Sequence, residues 1–457
     1  MCRYHPTVAV ARTPVRTQSI SSTQSYLMSL SSFAGRRAAI AFIFVTAVLD
    51  IVAMGIVIPV LPALIEQFAG SNARAGVING IFVALWAGMQ FIASPVIGSL
   101  SDRYGRRLVI LVSTIGLASD YVLMALAPNL WWLALGRAVA GITSASFTTV
   151  FAYMADITPP EKRARAYGLI GAAFSGGFVA GPLLGGVLGE ISPRTPFWVA
   201  AALSGVAFLY GLFVLPESLP QDRRMAFSWS RANPFGAMRL LRSHHELFGL
   251  SVVNFLLYFA HHVFSAVFVL YAGFRYGWSP WEVGLLLALV GMLDMIVQGT
   301  LVAPFTRRYG DRGAMIIGLF GGAVGVAWMG LAPSGMLFTL AMFPNALWGL
   351  AMPTIQSLMT ARVSESEQGQ LQGANSSVAS IAGVLSPLFF GGVYSLSLGD
   401  GTRPPAYAGI AFLLAAGVLL GAALLAWYAA RRVPSRERSL ASQREERDAT
   451  VLRDPTI

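Results

Sequence analysis

Charge is scarce in this chain: only 12% of its 457 residues are Asp, Glu, Lys or Arg, where a soluble domain carries about 25%. No soluble fold of this length covers itself with so few. Cysteine is scarcer still, and the single Cys2 excludes a disulfide framework and a thiolate metal site. A Gly-rich phosphate loop ending in Lys-Ser/Thr is missing as well, so the energy for any work the protein does must come from elsewhere than nucleotide hydrolysis at such a loop. No nucleophile–base pair or metal cluster stands out. Neither an enzyme nor a bound metal or cofactor is expected.

What fills the chain instead is apolar: 55% of residues are hydrophobic. The runs 38–62, 76–99 and 108–126 are each long enough to cross about 30 Å of hydrocarbon. They do not alternate in segments of about 10 residues, as barrel strands would. Further runs at 131–155, 166–188, 196–215, 247–271, 281–303, 314–332, 336–359, 371–396 and 406–429 complete an expected all-α membrane protein of twelve transmembrane helices. The one long interior polar stretch, 216–246, divides six spans (38–215) from six (247–430). Residues 1–37 are polar and Arg/Ser-rich with no acid before Asp50, a composition shared with transit peptides but read here as an unstructured tail. Residues 431–457 are charged without apolar period and read as a second solvated tail.

The formal charge of +11 suggests nucleic acid until the basic residues are located. Of 32 Lys and Arg, only Arg74, Arg194, Arg275 and Arg403 fall in loops after odd-numbered helices, and Arg137 lies inside a helix. All the others lie in the termini and in loops after even-numbered helices. Basic loops stay cytoplasmic, which places both termini inside and leaves no role for a nucleic acid. The expected location is the inner (plasma) membrane, crossed many times.

An internal repeat supports the division. A shift of 205 residues superposes Tyr104-Gly105 on Tyr309-Gly310, Ala127-Pro128 on Ala332-Pro333, Gly168 on Gly373 and Pro182 on Pro387. Two six-helix halves related by an axis along the membrane normal are a transporter architecture with its substrate site near the midplane.

Ionisable groups inside spans are functional by default. Asp50 lies midway along helix 1, Asp120 on helix 3, Arg137 on helix 4 and Asp294 on helix 8. A carboxyl held out of water can exchange a proton during transport, and a purely structural hydrogen-bonding role is the lesser alternative. His261 and His262 on helix 7 diverge by about 100°, so at most one faces a cavity, and a core role is as good a reading. Gln90, Asn254, Gln298, Asn345 and Gln356 are polar groups within spans, suited either to cavity lining or to helix–helix hydrogen bonds.

Three motifs sharpen this picture. The loop after helix 2 reads Gly98-Ser-Leu-Ser-Asp102-Arg-Tyr-Gly105-Arg106-Arg107, helix 4 carries Gly136-Arg137-Ala-Val-Ala-Gly141-Ile-Thr, and helix 5 carries Gly177-x-x-x-Gly181-Pro182-Leu-Leu-Gly185-Gly186. The first resembles the signature of the major facilitator superfamily, and the third resembles the helix 5 motif of its antiporters. The Leu49-Asp50 … Pro59-Val-Leu-Pro62 spacing, Ser119-Asp120-Tyr121, Gly189-Glu190-Ile-Ser-Pro193, Phe274-Arg275-Tyr276-Gly277-Trp278 and Gln368-Gly-Gln-Leu-Gln372-Gly373 extend the likeness to the tetracycline/proton antiporters over residues 40–430.

That resemblance implies the major facilitator fold and export of a drug, tetracycline first, in exchange for protons. Tetracycline can travel as a metal–drug chelate, and the partners implied are the drug, protons and lipid, with the monomer as the working unit. It also implies that Asp50, Gln90, Asp102, Arg106, Asp120, Arg137 and Asp156 occupy positions important for transport, with Asp102, Arg106 and Asp156 as a conformational latch. From the residues themselves, Asp50, Asp120, Arg137 and Asp294 are the candidates for proton coupling, and Gln90, Asn254, His262, Gln298 and Gln356 for substrate contact. The second-half copy of the latch, Thr306-Arg-Arg-Tyr-Gly310-Asp311-Arg312, lacks the leading acid, so a one-sided latch is expected. Two departures bear on substrate and coupling. Asp294 stands where enterobacterial-type pumps have a helix 8 His, and a glycine near Gly322 stands where they have a helix 9 acid. A transporter of a physiological metabolite and a broader multidrug exporter remain the alternatives.

Overall fold

The computed structural model describes residues 43–145, 147–159, 162–227, 229, 241, 245–364, 367–399 and 405–429. Both expected tails and most of 228–244 lie outside the described residues. Among the described residues, eleven apolar helical stretches are long enough to cross a membrane, and the longest, Pro280–Leu331 with 52 residues, is two spans in one. It breaks at Gly310, whose φ of 69° lies in the left-handed region that glycine enters without a Cβ clash. The described residues therefore hold the twelve expected helices: α1 (Ile43–Ala69), α2 (Asn72–Tyr104), α3 (Arg106–Leu126), α4 (Leu130–Ile157), α5 (Arg163–Ile191), α6 (Thr195–Val214), α7 (Leu247–Tyr276), α8 (280–309), α9 (311–331), α10 (Gly335–Thr360), α11 (Gln368–Leu398) and α12 (Ile410–Ala429).

Local chemistry explains the helix ends. Ser71, Asn129 and Ser334 accept backbone N–H bonds at the starts of α2, α4 and α10, and Ser279 with Glu282 forms a capping box on α8. Gly70 and Gly277 close α1 and α7 at φ of 73° and 68°. The repeat is visible in three dimensions. Gly105 and Gly310 both take positive φ, Arg107 donates to the Leu212 carbonyl at 2.7 Å, and Arg312 donates to the Trp427 carbonyl at 2.8 Å.

The halves meet through two equivalent crossings, α2 on α11 and α5 on α8. In the first, Gly76 and Gly80 lie against Tyr394, Gly391 and Pro387; in the second, Gly284 lies against Gly186 and the Pro182 carbonyl. Gly186 and Gly391 are 205 positions apart, as are Pro182 and Pro387. Small residues let backbones approach this closely. Both crossings sit toward the end of the bundle that bears the loops after odd-numbered helices, which we term the odd-loop end.

Polar bonds reinforce the same end. The Tyr394 hydroxyl donates to Asn72 Oδ1 at 2.5 Å, Asn72 donates to Glu66 at 3.0 Å, and Trp281 N donates to Glu190 at 3.2 Å. Arg194, one of the few basic residues there, donates to the carbonyls of Ala125 and Ala127 at the end of α3, at 3.1 and 2.9 Å, where the helix dipole favours a cation. Toward the opposite end the crossings part. Gly98 lies five turns beyond Gly80 on the same face of α2, yet no atom stands within contact of a methyl placed on it; the same holds for Gly299 of α8. The odd-loop end is closed and the cleft between the halves opens at the other.

Candidate functional site

Asp50 lies in a recess of the first half lined by Met54 of α1, Ser113, Thr114, Leu117 and Tyr121 of α3, and Thr143, Ser144 and Phe147 of α4. Its Oδ1 is shut off from solvent and has no hydrogen-bond partner among the described residues. Thr114 and Thr143 donate their hydroxyl protons to their own helices, to the carbonyls of Ile110 and Val139, both at 3.0 Å. What those hydroxyls leave for a neighbour is acceptor lone pairs. A carboxylate beside acceptors calls for a donor: a proton, or a cationic or N–H-bearing ligand.

On the far side of Tyr121, Asp120 is fully buried and faces Arg137 of α4 across 3.6 Å. Among the described residues no hydrogen bond reaches either carboxylate oxygen, and Arg137 also donates to the Met124 sulfur at 3.1 Å. Gly136 makes the space, since a methyl there would stand 2.7 Å from Asp120 Oδ1. The two charges offset each other where a lone one would be costly.

The α5 glycines divide between two neighbours. Gly177, Gly181 and Gly185 seat α1, meeting Ile51, Gly55 and Ile56, while Gly186 meets Pro280, Trp281 and Gly284 of α8. A methyl on Gly181 would stand 2.7 Å from the Gly55 Cα. The same stripe that positions the helix bearing Asp50 thus also forms the cross-half contact.

In the second half, Gln298 donates to Asp294 at 2.7 Å within α8. The two histidines separate. His262 lies 3.3 Å from the Ser265 hydroxyl and against Gly383 of α11, while the His261 ring lies against Trp348 of α10 with centroids 5.5 Å apart. Asn254 is buried two turns before His261 on α7, and Gln90 is half-buried on α2. Gln356 accepts from Asn375 of α11 at 3.1 Å. Gly322 packs on the Trp348 indole, 3.1 Å from where a methyl would stand, so the indole fills the space that a longer side chain on α9 would need.

At the even-loop end, Arg106 contacts Asp102 at 2.6 Å, Asp156 at 3.3 Å and the Ser101 hydroxyl at 2.5 Å. Sequence reasoning missed the residue that ties this cluster to the segment after α6. Glu217 accepts backbone N–H bonds from Arg106, Ser218 and Leu219 at 2.9, 3.0 and 3.0 Å and pairs with Arg224 at 3.7 Å. In the second half, Asp311 stands at the Arg106 position and accepts from Ser357 at 2.6 Å. Glu217→Ala is expected to destabilise the fold by about 1 kcal/mol, because its bonds are charge-assisted but partly solvated. The check is a drop in unfolding temperature together with faster proteolysis of the segment after α6; unchanged cleavage would deny Glu217 this tie.

Asn79, Asn72 and Tyr394 were also missed, and all three bridge the halves. Asn79 donates to the carbonyls of Ser265 and Ala266 in α7, at 3.1 and 2.8 Å. The signal was present, since an Asn inside an apolar span needs partners.

A profile described as Major Facilitator Superfamily matches residues 43–387 and 250–455. The class C tetracycline resistance protein of Escherichia coli is 39% identical over 352 residues, which span 77% of this chain and 88% of that protein. The class E tetracycline resistance protein of Escherichia coli is 35% identical over 347 residues, 76% of this chain and 85% of that protein. Among solved structures, a bacterial homologue of the human lysosomal transporter Spinster, inward-facing and unoccupied, superposes with a TM-score of 0.71 at 20% identity, covering 87% of this chain and 97% of that one.

Proposed function

This chain belongs to the major facilitator superfamily, and from that premise we infer that it exports a drug, tetracycline first among candidates, in exchange for protons. It is a multi-pass membrane transporter, not an enzyme. The observation that carries the reading is Asp50: a buried carboxyl oxygen without a hydrogen-bond partner among the described residues, in a recess in the middle of the first half that also holds the Thr114 and Thr143 hydroxyls. A cation-bearing drug or metal–drug chelate supplies the missing donor or positive charge, and a proton competes for the same oxygen.

The cycle follows from that competition. Basic loops place the odd-loop end outside, so the closed end faces outward and the cleft opens to the cytoplasm, where an anionic Asp50 takes up drug. After the halves rock, protons from outside occupy Asp50 and Asp294, one on each half, and the drug loses its counter-charge and leaves. One proton moving down about 100 mV contributes about 2.3 kcal/mol, enough to sustain a drug gradient.

The test is expression in a host lacking its own drug pumps, scored against a drug panel. The wild-type chain is expected to raise the inhibitory concentration of tetracycline several-fold. Unchanged resistance to every compound would sink the export reading. Resistance to other drugs alone would move the substrate to a broader class, which the indole at Gly322 and the acid at position 294 would then explain.

A further inference from the structure

The face of α11 that meets α2 continues beyond the point where the two helices part. Tyr394, Gly391 and Pro387 meet Gly76 and Gly80, and Gly383 and Val384 meet Ala87 and Gly88. Counted from Gly383 at about 100° per residue, Ser380 and Ser376 fall at about 60° and 20°, within the sector that Pro387, Gly391 and Tyr394 occupy. The exposed Leu385, Leu388 and Phe389 lie at least about 120° away, on the side that faces lipid. Ser380 and Ser376 therefore extend the α2-facing stripe one and two turns toward the even-loop end, where the open space around Gly98 shows the helices apart. Ser376 is exposed and Ser380 half-exposed, and that exposure is to the cleft.

A third helix joins this face. His262 Nε2 of α7 lies 3.2 Å from the point where Gly383 would carry a methyl, and the Ala87 Cβ of α2 lies at the same distance from it. A methyl there would crowd both, and glycine leaves the nitrogen free. Hydrogen bonds fix what each group has left to offer. The Ser265 hydroxyl donates to the His262 carbonyl at 3.0 Å, so toward the imidazole Nδ1 at 3.3 Å it can only accept. Nδ1 then carries the proton, and Nε2 of the neutral ring is an acceptor. The Ser380 hydroxyl donates to the Ser376 carbonyl at 2.9 Å and likewise presents only lone pairs. The exposed Ser376 hydroxyl can turn to donate or to accept.

We propose that His262, Ser376 and Ser380 form an uncharged substrate subsite on the second half, which recognises the hydroxyl- and amide-bearing edge of the exported drug. This subsite deepens the export reading above and rests on it. It divides the cleft by chemistry. Asp50 in the first half attracts positive charge, while the wall of α7 and α11 presents acceptors without charge and takes O–H and N–H donors. A ligand with a cationic group at one end and hydroxyls or a carboxamide at the other satisfies both halves at once. Tetracycline carries an amine, several hydroxyls and a carboxamide, and so fits. An apolar cation without O–H or N–H groups satisfies only the first half.

Two measurements on the full chain in lipid nanodiscs test this subsite. With Cys2→Ser as background, Ser376→Cys and Ser380→Cys should react with a charged methanethiosulfonate several-fold faster than Leu388→Cys. Labelling of both as slow as that of Leu388→Cys would place the face away from the cleft and overturn the subsite. The second measurement is the equilibrium binding of tetracycline in the presence of Mg²⁺, read from the drug's own fluorescence. Ser380→Ala and His262→Phe should each weaken binding about fivefold, as the loss of one hydrogen bond does. Ser380→Thr, which keeps the hydroxyl, should bind as the wild type does. Ser376→Ala, at the most exposed of the three positions, stands in if either variant does not fold, with the same loss expected. Unchanged affinity in the folded variants would overturn the subsite, as would an equal loss in Ser380→Thr, and both results would leave the export reading in place. A wild-type chain that labels as expected but binds no tetracycline would reject tetracycline as the substrate, and the recognition proposed for this face with it.

Discussion

Asp50→Asn is expected to abolish drug-driven proton release from everted membrane vesicles, at least a hundredfold below wild type, while the protein accumulates and folds normally. Asn keeps the size of Asp and removes only the titrating charge. The recess accepts it, because Asp50 Oδ1 has no partner to lose and the hydroxyls of Thr114 and Thr143 present acceptors that an amide N–H can meet. A buried neutral amide also costs less than a buried carboxylate. The contrast is Asp120→Asn. There the buried Arg137 loses its counter-charge, and breaking a buried pair from one side costs about 3–5 kcal/mol, so that variant should lose folded protein first. Drug-driven proton release at the wild-type rate in a well-folded Asp50→Asn protein would remove Asp50 from the mechanism. Low expression of both variants alike would mean that Asp50 is structural as Asp120 is.

The difference between those two acids was only half legible in the sequence. Both stand in apolar spans, and hydropathy flags them equally. What separates them is whether a cation on another helix reaches the carboxyl, and that depends on Gly136 opening the space between α3 and α4. The helices themselves were legible because a span must be apolar over its whole length, and the expected ends agree with α2 to α12 within a few residues. Helix α1 runs on past Pro62 to Ala69, since the turn at 58–60 absorbs Pro59 and a new turn restarts at Leu61. Gly310 was legible as well, through its equivalence with Gly105.

The π-helical segments of α7 (Phe264–Phe268) and α8 (Val297–Leu301) and the 3-10 turn of α10 (Leu347–Leu350) left no such mark. Phe264–Phe268 and Leu347–Leu350 are mostly apolar, and the bonds that Asn79 donates to the Ser265 and Ala266 carbonyls come from the other half of the chain. The sequence could say that His261 and His262 face different ways, but not that the first meets Trp348 of α10 and the second Ser265 and Gly383. Glu217 was hidden differently. Its partners are backbone N–H groups far away in sequence, and a lone acid after a span looks like any solvated loop residue.

The largest conformational effect is expected from a single methyl-bearing side chain at either crossing. A Cβ on Gly80 would run into the Pro387 carbonyl oxygen, and one on Gly284 would stand 2.5 Å from the Pro182 carbonyl oxygen. Both obstacles are backbone atoms of a neighbouring helix, so no rotamer relieves them. Gly80→Val and Gly284→Val should each cost the closed odd-loop end at least about 1–3 kcal/mol, a roughly tenfold to hundredfold shift toward states in which the crossing is parted. Because the crossings are equivalent and far apart, the double substitution should add the two effects. The scarcity of cysteine makes the measurement direct: with Cys2→Ser as background, spin labels at Gln67→Cys on α1 and Met336→Cys on α10, both exposed at that end, report the separation of the halves. Each glycine variant should move the distance distribution to longer values and lower the rate of drug export. Gly98→Val, on the same face of α2 five turns away with open space around it, should do neither. Distances unchanged in Gly80→Val and Gly284→Val would show that the close approach of these backbones does not hold the end shut, and would transfer that role to the bonds of Asn72, Asn79 and Tyr394.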